Sequence, residues 1–207
     1  MQSPAEPGEC IEGDCLNGPG TFAWPDGKKY AGEWKNGFRT GQGTSTWPDG
    51  AGYAGGYQEN KKHGQGTFNW PDGARYEGGF MNDKKHGQGT FITPDGRKYE
   101  GEWKDGMKNG EGTSVWPDGS TYSGTWQDDF PSGRGTFSTP GGEYTGEFTL
   151  GKPDGKGTFI WPDGRKYAGE YRQGDMHGFG VETFPDGKTR EGYWENGEYV
   201  GTEKPGK

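Results

Sequence analysis

Along most of this chain, aromatic and glycine positions alternate with charged or hydroxyl-bearing ones, and the alternation restarts at a fixed interval. Tyr30, Tyr53, Tyr76, Tyr99, Tyr122, Tyr144 and Tyr167 open successive copies, 23 residues apart except for the 22 between Tyr122 and Tyr144. Each copy holds two short runs of period two. The first reads Y-x-G-x-(W/F/Y), as in Tyr99, Gly101 and Trp103; the second reads G-x-G-T-x-x-(W/T/F), as in Gly64, Gly66, Phe68 and Trp70. Successive side chains of a strand point to opposite faces, so Tyr, Gly and Trp of the first run share one face. Both glycines, the Phe and the Trp of the second run do the same. The other face collects Glu100 and Glu102, or Gln65, Thr67 and Asn69. This predicts antiparallel strand pairs with one aromatic–glycine face and one polar face.

The connections are of two kinds. P-D-G recurs at Pro25, Pro48, Pro71, Pro94, Pro117, Pro162 and Pro185, with Pro suited to the second position of a type I turn and Gly to a positive φ. The opposite connection reads N-G-F-R-T-G, E-N-K-K-H-G or D-G-M-K-N-G and is taken as a loop of that length. Alternating turns give a meander of hairpins. At roughly 4.8 Å per strand, each copy advances about 10 Å and the array about 80 Å, and so long an open sheet is expected to twist. The predicted fold is therefore all-β: an elongated, twisted single-layer antiparallel sheet of tandem hairpins of about 23 residues, without helix.

The boundaries follow the pattern. Residues 1–9 and 201–207 read as tails around one array, 10–200. It opens on a half-repeat, 10–29, with Ile11 in the Tyr slot and Cys15 in the next aromatic slot. Seven full repeats start at 30, 53, 76, 99, 122, 144 and 167, and a partial repeat, 190–200, closes the array. Arg190 takes the Tyr slot there, which reads as an inward charge guarding an edge strand. Residues 127–150 are the least regular, and a change of curvature is expected among them.

Composition alters the picture at one point. Leu, Ile and Val number only eight, against 45 Gly and 14 Pro, which alone would suggest disorder. The 9 Trp, 11 Tyr and 11 Phe argue otherwise, because they keep fixed phases of the repeat. Glycines beside them leave bare backbone on which neighbouring rings lie down, a substitute for an aliphatic core. Where Phe is lost (Ser45, Ser114), Trp47 and Trp116 remain; where Trp is lost (Thr93, Thr139), Phe91 and Phe137 remain.

The net charge of −8 opposes wholesale attraction to nucleic acid or anionic lipid. There is no run of eighteen apolar residues and no apolar leader core. A cytoplasmic location is expected, with export following only if a leader has been trimmed. Cys10 and Cys15 lack the companions of a zinc site. Five apart on a straight strand they face opposite sides, so two unpaired thiols are favoured over a disulfide, which would need a bend.

Y-x-G-x-W, a Lys-Asn-Gly or Lys-Lys-His-Gly connection and G-x-G-T-F together resemble the MORN (membrane occupation and recognition nexus) repeat, over residues 11–197. The resemblance implies a twisted single-layer rod of hairpins without catalytic activity. It also implies docking of partner proteins along an aromatic groove, with membranes or anionic lipids bound by some members. Arg190, Cys15 and the short copy at 122–143 depart from the pattern.

Candidate chemistry is sparse. His63, His86 and His177 occupy one connection slot and would stand about 10 Å apart on successive repeats, far beyond a shared metal. No G-x-S-x-G occurs, and the Asp of each P-D-G supplies too few oxygens for calcium. No catalytic residue, metal or cofactor is expected. The expected function is a non-enzymatic scaffold docking a partner peptide or helix on a groove lined by Tyr30, Trp34, Tyr53, Tyr57, Tyr76, Phe80, Tyr99, Trp103, Tyr122, Trp126, Tyr144, Phe148, Tyr167 and Tyr171. One alternative is a basic ledge of Lys61, Lys62, Lys84 and Lys85, with His63 and His86, meeting phosphoinositide headgroups beside Glu59, Asp83 and Asp105. Another is glycan stacking on the rings, although known arrays of that kind lack G-x-G-T-F. A monomer, or an end-to-end or edge homodimer, is expected.

Overall fold

The computed structural model describes residues 8–204, which form eighteen strands in one open antiparallel sheet with no helix among them. The chain divides into two compact units, residues 1–106 and 107–207. The first holds β1 (Glu9–Gly13), β2 (Pro19–Ala23), β3 (Lys29–Lys35), β4 (Phe38–Thr46), β5 (Gly52–Gln58), β6 (Lys61–Asn69), β7 (Arg75–Met81), β8 (Lys84–Ile92) and β9 (Lys98–Lys104). The second holds β10 (Met107–Val115), β11 (Thr121–Gln127), β12 (Phe130–Thr139), β13 (Gly142–Thr149), β14 (Lys152–Ile160), β15 (Lys166–Arg172), β16 (Asp175–Thr183), β17 (Thr189–Glu195) and β18 (Glu198–Gly201). Within each unit every strand pairs with the next. The irregular 127–150 stretch does not interrupt this pairing. Of the expected tails, residues 1–7 and 205–207 lie outside the described residues.

The P-D-G turns form as their residues dictate. Gly27 N–H donates to Trp24 O at 2.9 Å, closing the four-residue turn, and Gly27 takes φ +87°. The Asp26 carboxylate then accepts from Lys28 N–H at 2.9 Å. The opposite connections are shorter than expected. Each is a two-residue turn with positive φ at both positions: Asn36 (52°) and Gly37 (75°), or Asn82 (50°) and Asp83 (69°). Two consecutive positive φ values define the type I′ turn, whose twist matches that of the flanking strands. The second strand therefore begins at Phe38, Lys61 or Lys84, inside what read as loop.

A bulge follows in each of these long strands. Between Gly32 and Glu33 the register jumps from Gly43 to Thr40, and Gly41 in the excess stretch takes φ +55°. The first glycine of G-x-G-T thus serves the backbone of a bulge, not the aromatic face. At Gly87 (φ +68°) an added Cβ would meet nothing within 4 Å.

Two further expectations change. Cys10 and Cys15 form a disulfide, with Cα atoms 5.9 Å apart. The required bend comes from a register shift between Cys10 and Glu12 and from Gly13 at φ +74°. Arg190 is not on the last strand: β18 pairs beyond β17. Its guanidinium bonds the Glu182 carboxylate at 3.0 Å from Nε, and Glu182 is buried. An ion pair here replaces the Phe–Tyr pair of other repeats, as in Phe159↔Tyr167.

Candidate docking face

The aromatic face has a floor and a surface. Its floor is the fourteen first-strand rings anticipated as a groove, together with Trp194, and the fourteen are between 0 and 7% exposed. In the first unit they form an unbroken zigzag of edge-to-face contacts. Tyr30 meets Trp34 at 5.1 Å and Tyr57 at 5.0 Å; Tyr53 meets Tyr57 and Phe80; Tyr76 meets Phe80 at 5.1 Å and Trp103 at 5.4 Å; and Tyr99 meets Trp103. The second unit repeats it through Tyr122, Trp126, Phe148, Tyr144, Tyr171, Tyr167 and Trp194. Such T-shaped pairs add stabilisation beyond buried area, about 0.5–1.5 kcal/mol each.

Each tyrosine lies flat because the partner strand is bare beneath it. A Cβ on Gly89 would stand 2.3 Å from the Tyr76 hydroxyl and 2.6 Å from its Cζ. The hydroxyl then reaches the carbonyl three residues on, at the bulge: Tyr76 Oη–H to Gly79 O at 2.9 Å and Tyr122 Oη–H to Thr125 O at 2.9 Å. Some indoles add a second tie, as in Trp34 Nε1–H to Gly20 O at 3.0 Å. Burial disfavours the phenolates of these six: Tyr122, Tyr144 and Tyr167 are each pushed up to about 12, and Tyr30, Tyr53 and Tyr76 are raised as well.

What remains accessible on this face is the second-strand aromatics, all half-buried. They are Phe22, Trp24, Trp47, Phe68, Trp70 and Phe91 in the first unit, and Trp116, Phe137, Phe159, Trp161 and Phe184 in the second. Trp47, Phe68, Trp70 and Phe91 run as a second ladder, with centroids 5.6, 4.5 and 5.5 Å apart. The sequence showed these rings but not that they, instead of the first-strand set, would stay open.

The lysines do not make a single ledge. Lys61 and Lys84 are exposed on the polar face, and Lys84 Nζ stands 3.5 Å from Asp105. Lys62 and Lys85, one residue on, lie on the aromatic face across the strands from Tyr57 and Phe80. Lys62 Nζ sits 4.6 Å from the Phe68 centroid and Lys85 Nζ 3.6 Å from that of Trp103. Burial holds the Lys62 ammonium below its ordinary pKa, with Asp83 opposing. Arg39, opposite Trp34, occupies the same slot, 5.3 Å over Tyr57. In the second unit this slot holds Lys108, whose Nζ is 4.5 Å from the Trp126 centroid, and then Pro131, Pro153 and Met176.

His63, His86 and His177 project from strands on the polar face. No group of three His, Cys, Asp or Glu side chains comes together among the described residues. An open hollow of about 450 Å³ lies on that face of the second unit, against Ala168, Glu170, Phe179 and Val181.

A family model described as MORN repeat matches residues 16–29, 30–52, 53–75, 76–96, 99–121, 122–143, 144–164 and 167–189. No curated protein sequence matches the chain. Among solved structures, a point mutant of the TCP10 domain of Danio rerio CPAP is 19% identical, covering 84% of this chain and 83% of its own, at a TM-score of 0.48. The SAS-4 (dCPAP) TCP domain of Drosophila melanogaster, in complex with a proline-rich motif of Ana2 (dSTIL), is 11% identical, with 94% and 95% covered and a TM-score of 0.43.

Proposed function

The chain belongs to the MORN repeat family, and from that premise we propose that it is a non-enzymatic scaffold that docks a partner protein segment on its aromatic face. The observation carrying this reading is the ladder of half-buried second-strand rings over a sealed floor. The floor rings pack on one another and most tie a polar atom to a backbone carbonyl, so they serve stability. The surface rings leave part of their area in water, and an apolar strip of this kind gains when a partner covers it. The fourteen rings first expected to touch the partner act in this reading as the platform that aims Phe68, Trp70 and their equivalents.

A peptide-display selection on the full chain tests the proposal. Recovered peptides should lose binding to Trp47→Ala with Trp70→Ala and keep it against Gln65→Ala with Thr67→Ala, on the opposite face. Peptides indifferent to the tryptophan changes would count against docking. Headgroup binding through four neighbouring lysines draws no support from this geometry, since Lys61 and Lys84 face away from Lys62 and Lys85. Phosphoinositide vesicles should leave the protein unbound at physiological salt.

A further inference from the structure

In a chain of net charge −8, the first unit's aromatic face carries cations and, from β3 to β9, no Asp or Glu at any inward strand position. Arg39, Lys62 and Lys85 hold the same slot on alternate strands. Arg39 is fixed there by Asn60, donating to its carbonyl at 2.7 Å, and neither Arg39 nor Lys62 makes an ion pair among the described residues. Ion pairs such as Arg75–Glu77 at 2.6 Å and Lys98–Glu100 at 2.7 Å lie on the polar face of this unit.

Resting on the docking reading above, we propose that this face takes an extended, polyproline-II-like segment bearing a carboxylate at every third residue. The geometry of the slot sets the spacing. Alternate strands stand about 10 Å apart, and three residues of polyproline II advance about 9.3 Å while returning to the same side. A β-strand segment would turn its third residue away, because its side chains repeat every two. Between the cations lie the open rings Phe68, Trp70 and Phe91, the flat apolar surface on which proline rings pack. A desolvated ammonium over an aromatic ring gains most from a carboxylate that arrives together with the surface excluding water. In the second unit Lys108 holds the slot on β10, but Pro131, Pro153 and Met176 hold it on β12, β14 and β16, so that unit has no run of cations at this spacing to select such a segment.

The test is titration of the full chain with a peptide of about five Glu-Pro-Pro triplets. Comparison peptides are Gln-Pro-Pro triplets, an isomer with its glutamates paired, and a helical peptide with Glu at every seventh residue. The spaced peptide should bind most tightly and weaken with salt. Lys62→Met with Lys85→Met should lower its affinity about tenfold or more. Lys62→Arg with Lys85→Arg, and Lys61→Met with Lys84→Met, should leave it near the parent value. The proposal is overturned if the paired isomer or the helical peptide binds as well, if the methionine pair changes nothing, if no peptide binds, or if phosphoinositide vesicles engage Lys62 and Lys85 in place of peptide. Should Gln-Pro-Pro bind equally and be lost with Trp47→Ala and Trp70→Ala, docking stands and the carboxylate spacing falls.

Discussion

Gly87 and Gly89 belong to one G-x-G motif and do different work. Gly89 is bare because the Tyr76 ring lies on it; Gly87 is glycine because its φ is +68°. Gly89→Ala therefore forces a floor ring off its strand and is expected to cost about 3 kcal/mol in denaturant unfolding. Gly87→Ala meets only the left-handed backbone penalty, about 1–2 kcal/mol. The reverse ranking would remove this account of the motif. Tyr171 shows the same floor from its other side. Its hydroxyl is buried without a hydrogen-bond partner among the described residues, whereas Tyr57, in the same slot, meets Ser45 Oγ at 2.7 Å. Phe80 and Phe148 fill that slot with no hydroxyl at all. Tyr171→Phe should raise stability by about 1 kcal/mol, read from the unfolding midpoint. Alternation in the sequence places Tyr171 inward; whether its oxygen finds a partner depends on Phe159 or serine in the preceding strand.

At the level of the hairpin, the two connections differ in how plainly they can be read. P-D-G names its turn, because proline and glycine restrict φ wherever they occur. The opposite turn is announced by Asn36-Gly37, a strong short hairpin signal, but Glu59-Asn60, Asp128-Asp129 and Leu150-Gly151 hide it. Strand pairing imposes the turn on those residues regardless of their preference. Leu150 bears the consequence, held at φ 49° with 74% of its surface exposed. Leu150→Asn should stabilise the β13–β14 hairpin by about 1 kcal/mol, since Asn tolerates the left-handed region and no packing is lost. Thermal melts of the two chains decide it, and an unchanged or lower midpoint would contradict the strain assigned here. Moving the turn by a few residues also moved the lysines from loop to strand, which is why their division between faces could not be read beforehand.

Across the whole molecule, stability rests on buried phenols, and that sets its pH limit. Below the ordinary tyrosine value of 10.0 the phenols are neutral in both folded and unfolded chains, and their contribution is fully present. Above it the unfolded chain ionises first, while Tyr122, Tyr144 and Tyr167 hold their protons to about 12. The unfolded state then binds fewer protons, so stability falls as pH rises through this window and levels off above it. Unfolding free energies measured in steps between about pH 9 and 12, with tyrosinate absorbance, should show this decline. A flat profile would mean the floor is wetter than its geometry.

The repeat, the all-β class, the two chemically distinct faces and the P-D-G turns were determined by sequence alone, because period two and the torsional limits of proline and glycine are local properties of the chain. Tertiary structure decided the rest. Which ring lies down and which stays open depends on the strand next door, where Gly89 admits Tyr76 and no equivalent gap receives Phe68 or Trp70. Likewise Cys10 and Cys15 meet only because the register against β2 bends β1, and Arg190 finds Glu182 only because β16 and β17 pair in that alignment. Burial and pairing are set between strands, and no spacing along one strand contains them.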